Sequence, residues 1–276
     1  MMKTNQLKWK TNDGVDIFGV NWYTDEKPKA VLCITHGMGE HILRYEPIAV
    51  YFTANGYAVM GYDHRGHGQS GGQRGHYPNF DEFLNDYGIF LQQVEEQYGE
   101  IPKICYGHSM GGNVLANYFI RRKAEAKALI FSSPYIKLAF QPPSIKVGLG
   151  KLMKNIVPTL SLPTGLEVEA ISRDEAVVED YKKDKLNHDK VSSIMGIEMM
   201  ETGQYALDHA SEINLPTLVF HGSADRLTSF DASKAFASKI KNATFIPYEG
   251  LYHETHHEPE KETVLKNMLD WCNQQI

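Results

Sequence analysis

Three short runs, AVLCIT at positions 30–35, KALIFSS at 127–133 and TLVF at 217–220, constrain the fold more than any other feature of the chain. They are too short for stable helices and lack the polar alternation of a sheet with one wet face. Near-continuous apolar runs of this length mark strands buried on both faces of a parallel sheet. Five weaker runs fit the same sheet: Leu7–Lys10, Ile17–Tyr23, Tyr57–Tyr62, Lys103–Tyr106 and Thr244–Tyr248. Helical patterns stand between the later strands. Tyr45–Asn55 stops at Gly56, and Asn79–Tyr98 opens on a capping residue and stops at Gly99. Met110–Arg121, Ser229–Ile240 and Pro259–Asn273 complete the set. Strand alternating with helix builds right-handed βαβ units, whose working loops lie at the carboxyl ends of the strands.

One stretch breaks the alternation. From Pro134 to about Ala206 no convincing buried strand occurs. Prolines punctuate its first part (Pro134, Pro142, Pro143, Pro158, Pro163), and four lysines but no acidic residue lie between Pro134 and Pro158. Ile145, Leu149, Leu152, Met153 and Ile156 share one helical face. The expected organisation is one domain over residues 1–276, with residues 134–206 inserted as a cap after the sixth strand. The apolar face either docks on a membrane surface or packs on the protein's own core.

Composition narrows the function. A formal net charge of −6 lacks the basic field that nucleic-acid binding needs, so no nucleic-acid partner is expected. Cys33, Cys105 and Cys272 are odd in number and widely spaced, which favours free thiols in a reducing compartment over disulfides or a cysteine zinc site. The N-terminal MMKTNQLKWKTNDG has no apolar signal core, and no run reaches the ~18 residues of a membrane span. The expectation is a soluble, cytoplasmic protein, peripheral at membranes if the cap touches them.

The sharpest local signal is Gly107-His108-Ser109-Met110-Gly111, with the strand-like KICY before it and the helical NVLANYFI after it. A strand-to-helix turn presents the serine hydroxyl on a strained backbone and requires small neighbours. Gly68-Gln69-Ser70-Gly71-Gly72 repeats the string without that context, so Ser70 reads as a loop serine. A serine nucleophile needs a base and an orienting carboxylate. Asp225 follows one later strand in HGSADRL, and His253 follows the last in YEGLYHE. The order Ser109, Asp225, His253 suits this turn. Asp231, His256 and His257 are rivals for the same roles. The oxyanion hole is expected from the backbone N–H groups of Met110 and of Met38 in the loop His36-Gly37-Met38-Gly39-Glu40. His253-Glu254-Thr255-His256-His257 also spells a zinc-peptidase motif, which works only on a helix. It therefore stands as the remote alternative, and no metal or cofactor is expected.

HGMGEHILRYEPIA, YDHRGHGQSGG, GHSMGGN, FSSP, HGSADRL and YEGLYHE, in this order, resemble the monoacylglycerol lipase and lysophospholipase branch of the α/β-hydrolases, which includes serine aminopeptidase-like hydrolases. The resemblance spans about Ala30 to Glu258. It implies an α/β-hydrolase fold, a mostly parallel eight-stranded sheet flanked by helices. It implies Ser109 as nucleophile, Asp225 as orienter, His253 as base and Met38 and Met110 as oxyanion hole. His36, Gly37, Glu40, His41 and His108 become supporting residues, and Asp63, Arg65 and His67 a structural loop that Arg65 fixes through ion pairs. The implied substrate is a monoacylglycerol or similar lipid ester. A lysophospholipase or short-chain carboxylesterase is the alternative.

Overall fold

The apolar runs assemble into a single sheet in the computed structural model, which describes residues 1–276. The chain forms β1 (Lys3–Lys10), β2 (Asp16–Tyr23), β3 (Val31–Thr35), α1 (Glu46–Ala54), β4 (Ala58–Tyr62), α2 (Phe80–Tyr98), β5 (Lys103–His108), α3 (Met110–Arg122) and β6 (Ala128–Ser132). It continues through α4 (Ser144–Ile156), β7 (Ser161–Pro163), α5 (Glu175–Lys183), β8 (Lys190–Ser192) and α6 (Ser193–Asp208). β9 (Thr217–Gly222), α7 (Phe230–Lys239), β10 (Ala243–Tyr248) and α8 (Lys261–Asn273) close it.

Eight strands form the main sheet in the order β1-β2-β4-β3-β5-β6-β9-β10. β2 is antiparallel to both its neighbours, and every other pairing is parallel. The continuous apolarity of the central strands now has its cause. Along β3, Val31 and Cys33 enter one core while Leu32 and Ile34 enter the other. Along β6, Leu129 and Phe131 divide from Ala128 and Ile130 in the same way. Buried residues of α2, α3, α6 and α7 cover one face, and those of α1 and α8 the other.

Local signals set the helix ends. The Asn79 side chain accepts the Glu82 N–H at the start of α2, and Gly99 ends that helix at φ +57°. Ser229 caps α7 through the Ala232 N–H. Two boundaries differ from the sequence expectation. α8 begins at Lys261, so Pro259 stands just outside it. β1 begins at Lys3, because edge pairing with β2 continues where the side chains are exposed and carry no apolar signal.

The segment between β6 and β9 divides in two. α6 packs on α3 and buries Ile194, Met195, Ile197 and Met199. Asn113 donates to the Tyr135 and Met199 carbonyls and accepts from Thr202, while Asn117 donates to the Thr202 carbonyl. These bonds satisfy polar groups that would be costly to bury unpaired. α6 runs on to Asp208, past the expected limit at Ala206. α4 behaves differently, for none of its residues is buried. Ile145, Leu149, Leu152 and Ile156 are 86%, 58%, 55% and 63% exposed, so most of this face does not pack on the protein's own core; Met153 is half-buried, and Lys154 pairs with Glu198 and Glu201 of α6. No helix is long and apolar enough to cross a membrane.

Candidate active site

Ser109 sits where β5 turns into α3, at φ +52° and ψ −119°. Such a backbone is strained for a residue with a side chain and persists only where its surroundings enforce it. Here the Ser109 N–H donates to the Ser132 carbonyl, and the Ser109 carbonyl accepts from Gly112, Asn113 and Tyr135. The flanking glycines are obligatory. A Cβ on Gly111 would lie 2.1 Å from the Thr35 carbonyl oxygen, and one on Gly107 would lie 2.6 Å from that of Gly111. Met110 is the first residue of α3, so its N–H has no intrahelical acceptor.

The ends of β9 and β10 bring up the other two groups. Asp225 Oδ2 accepts from His253 Nδ1 at 2.7 Å, and its side chain is fully buried. Four further bonds hold that carboxylate. His221 Nε2 (2.8 Å) and Thr228 Oγ1 (2.9 Å) donate to Oδ2, and the Leu227 and Thr228 N–H groups donate to Oδ1. Burial alone would raise the Asp225 carboxyl, but the His253 charge and the His221 and His253 hydrogen bonds overcome it and hold the group well below the usual carboxylate range. The same balance acts on His253 in reverse. Burial pulls it down, and the Asp225 charge and hydrogen bond outweigh that and raise it. Donation from Nδ1 to Asp225 leaves Nε2 as the basic nitrogen. Ser109 and His253 both line a cavity of about 380 Å³, whose walls include Leu138, Phe140, Ile171, Met199 and Leu227.

The loop after β3 is fixed by a buried chain of charges. Glu40 Oε1 accepts from the Gly37 N–H at 2.6 Å and from Tyr45 at 2.8 Å, while Oε2 accepts from Arg44 at 2.7 Å. Arg44 then forms a two-pronged pair with Glu254, both contacts 2.7 Å, and Glu254 binds His257 Nδ1 at 2.8 Å. The loop carrying Met38 is thereby tied to the residue after His253. The Met38 N–H finds no acceptor in the chain, and the residue lines the cavity.

His36 Nδ1 donates to the Gly37 carbonyl, and Nε2 accepts the His64 N–H. Burial pushes its pKa down to about 3, in keeping with that acceptor role. His41 turns away to Asp184 at 2.7 Å. His108 bonds Ser132 and lies with its ring 4.7 Å from that of His253. Arg65 pairs with Asp86 and Asp13.

The rival groups lie elsewhere. Asp231 is exposed in the first turn of α7. Ser70 is spent on the Phe18 N–H and the Asp63 carbonyl. The second histidine of the zinc-like string sits on a short 3-10 turn, Thr255–His257, and not on an α-helix. Both His257 nitrogens are engaged, one by Glu254 and the other by the Arg44 carbonyl. His256 stacks on Tyr45 with centroids 5.1 Å apart, away from Asp225. Arg44, His221 and Thr228 carry parts of this arrangement that sequence reasoning left unassigned, and Glu254, read there only within the zinc-like string, pairs with Arg44 instead. The i, i+4 spacing of Glu40 and Arg44 was a readable signal, whereas the Arg44–Glu254 pair spans 210 positions and had none.

The chain matches the family described as serine aminopeptidase, S33, over residues 26–260. It is 33% identical over 261 residues to the monoacylglycerol lipase of Mycolicibacterium smegmatis, covering 94% of this chain and 93% of that one. It is 34% identical over 259 residues to an uncharacterized abhydrolase domain-containing protein of Dictyostelium discoideum; the match covers 92% of this chain but only 27% of that longer protein. The crystal structure of the Paleococcus ferrophilus monoacylglycerol lipase superposes with a TM-score of 0.83 at 28% identity, covering 99% of this chain and 100% of that one.

Proposed function

Because the chain belongs to the serine aminopeptidase S33 family and has the α/β-hydrolase fold, we propose that it hydrolyses monoacylglycerols to fatty acid and glycerol through Ser109, His253 and Asp225. The observation that carries this reading is the strained Ser109 turn opening, beside the His253–Asp225 pair, onto one largely apolar cavity. The named lipase relatives support the ester class.

In this mechanism His253 Nε2 takes the Ser109 proton as Oγ attacks the ester carbonyl. Asp225 holds the Nδ1–H tautomer and stabilises the imidazolium. The Met38 and Met110 N–H groups receive the developing oxyanion. The protonated His253 then gives its proton to the leaving glycerol oxygen. Water repeats the sequence on the acyl-enzyme and releases the fatty acid. Asp225 works here as a buried carboxylate that stays charged throughout the cycle, held below its usual range by the His253 charge and the His221 and His253 hydrogen bonds. Residues 134–206 serve as the cap over the cavity. The exposed apolar face of α4, with Lys146 and Lys151 beside it, supports transient contact with lipid surfaces.

The test is acid release from monoacylglycerols, lysophosphatidylcholines and p-nitrophenyl esters of graded chain length, with Ser109→Ala run alongside. The expected result is a maximum on monoacylglycerols that falls by on the order of 10³-fold or more in the variant. Retention of most activity in Ser109→Ala overturns the assignment. A maximum on lysophosphatidylcholine or on short activated esters keeps the triad and replaces the substrate.

A further inference from the structure

One residue in the cavity wall has no structural reason to be what it is. Gly196 is the fourth residue of α6 and lines the cavity with Val191, Met199 and Met200. Gly196, Met199 and Met200 follow i, i+3, i+4 spacing and so share one face of the helix. Glycine destabilises a helix relative to alanine, and two causes commonly justify it. One is a positive φ, which Gly196 does not have. The other is close packing. On the same helix, a Cβ at Gly203 would lie 2.4 Å from the Ile136 carbonyl oxygen, so that glycine is required. At Gly196 the only atom within 4 Å of such a Cβ is Val191 Cγ2, at an ordinary contact distance of 3.5 Å. A methyl group fits, the helix would gain from it, and the space it would fill belongs to the cavity.

We infer that Gly196 is a specificity-determining residue, whose missing side chain leaves room in the cavity for a long acyl chain. The inference rests on the proposed ester-hydrolase reading for its substrate. The neighbouring Met199 and Met200 suit the same task, since unbranched thioether side chains adapt to chains of different length and curvature. Enlarging residue 196 fills part of the cavity that Ser109 and His253 also line, while the residue itself belongs to neither the triad nor the oxyanion loop. It therefore raises KM for long chains before it lowers kcat, as expected for lost binding of the chain.

The experiment compares the wild type with Gly196→Ala and Gly196→Leu by three readouts. These are melting temperature, calorimetric binding of C8 to C18 fatty alcohols, and kcat and KM on monoacylglycerols of the same lengths. Gly196→Ala is expected to raise the melting temperature by about 2–4 °C. Gly196→Leu is expected to weaken C16 and C18 binding, and kcat/KM on the matching esters, by about tenfold or more. C8 is retained, so the optimum moves to shorter chains. Gly196→Ala keeps the test open should the leucine variant not fold, since its long-chain KM rises in the same direction. A chain-length profile that superposes on the wild type, a melting temperature lowered by alanine, or a wild type that binds no fatty alcohol overturns the inference. A wild type that binds the alcohols with this dependence but cleaves no ester overturns the proposed function and leaves the role of Gly196 standing.

Discussion

Replacing Arg44 with methionine removes the only cation between two buried carboxylates. Glu40 and Glu254 have side chains 3% and 4% exposed, and Arg44 reaches both at 2.7 Å. Methionine keeps most of the side-chain volume, so the loss is chiefly electrostatic. Stripping one partner from a buried ion pair costs about 3–5 kcal/mol, because the remaining charge stays desolvated. At about 2–4 °C per kcal/mol for a protein near this size, the melting temperature should fall by about 6–20 °C at pH 8. The pH dependence separates this cause from simple loss of packing. In the wild type, burial would raise Glu254, but the Arg44 charge, joined by the His257 hydrogen bond, outweighs it and holds the group well below 4.5 in the folded state. That stabilisation is fully present above the unfolded value and is lost only as pH falls through the lower folded one. Without the guanidinium, the largest group opposing burial is gone and the Glu254 carboxyl rises, with the His257 contact still holding it down in part, so the folded variant takes up the proton before the folded wild type does. The variant therefore recovers relative to the wild type as pH falls from 8 to 5, at up to about 1.4 kcal/mol per pH unit. Differential scanning fluorimetry at pH 5, 6, 7 and 8 measures the gap. Arg44→Lys, which keeps the charge but not the two-pronged geometry, should fall between. A deficit under 3 °C at pH 8, or one that does not narrow toward pH 5, would refute the reasoning.

Two further outcomes follow from the same geometry. Asp225→Asn removes the charge that raises His253 and the acceptor that fixes its Nδ1–H tautomer. In the proposed mechanism the lost acceptor should lower kcat/KM on the order of 10³–10⁴-fold, and since that mechanism uses neutral His253, the rising limb should move to lower pH, as read from a pH–rate profile; an unmoved limb would show that His253 is not the titrating base. The protein should also be acid-sensitive: burial lowers His36, His64, His67, His108 and His256, so the unfolded chain binds protons first as pH drops below 6.5. Five such groups would cost on the order of 5 kcal/mol between pH 6.5 and 5.5, and Asp63 and Asp86, both raised by burial to about 6, would return roughly 1.4 kcal/mol. Urea midpoints across that interval should therefore drop, and a flat profile would contradict the neutral state of the buried histidines.

The sheet was legible because its central strands must be apolar on both faces, and an isolated apolar run of about five residues is too short for a buried helix. β3 and β6 show the mechanism directly, each sending alternate side chains into two separate cores. The strand ends were harder to read. β5 runs through Gly107 and His108, and β9 through His221 and Gly222, because backbone pairing with β6 and β10 continues past the apolar run. Those extra residues carry Ser109 and Asp225 to the rim of the sheet, so the boundary that the pattern blurs is the one on which the site depends. In the inserted segment the limitation has another cause. α4 carries an apolar stripe by sequence, yet its Ile145, Leu149, Leu152 and Ile156 stay exposed, whereas α6 buries Ile194, Met195, Ile197 and Met199. A helical stripe records that a face seeks cover, not which surface covers it.

The site divides along the same line. Ser109, Asp225 and His253, the residues proposed for the reaction, each follow a strand, and that position along the chain is what singles them out. What holds them in place connects distant segments. Asp225 is braced by His221 at the end of its own strand and by Thr228, whose hydroxyl also reaches the Ser133 carbonyl beyond β6. Glu254 meets Arg44 across the mouth of the sheet. This second set has a consequence for how the two halves of the site can vary. The Gly37 N–H is fixed by Glu40, Glu40 by Arg44, and Arg44 by the residue after His253. A shift of the loop bearing the base therefore pulls on the loop bearing the Met38 amide. In the proposed mechanism, base and oxyanion donor would therefore move together, while the cavity wall on α6, built from methionines and a glycine with free space beside it, would accommodate different chains. Substitutions in α6 should change which ester is cleaved, and substitutions in the Glu40–Arg44–Glu254 chain should change how fast any ester is cleaved.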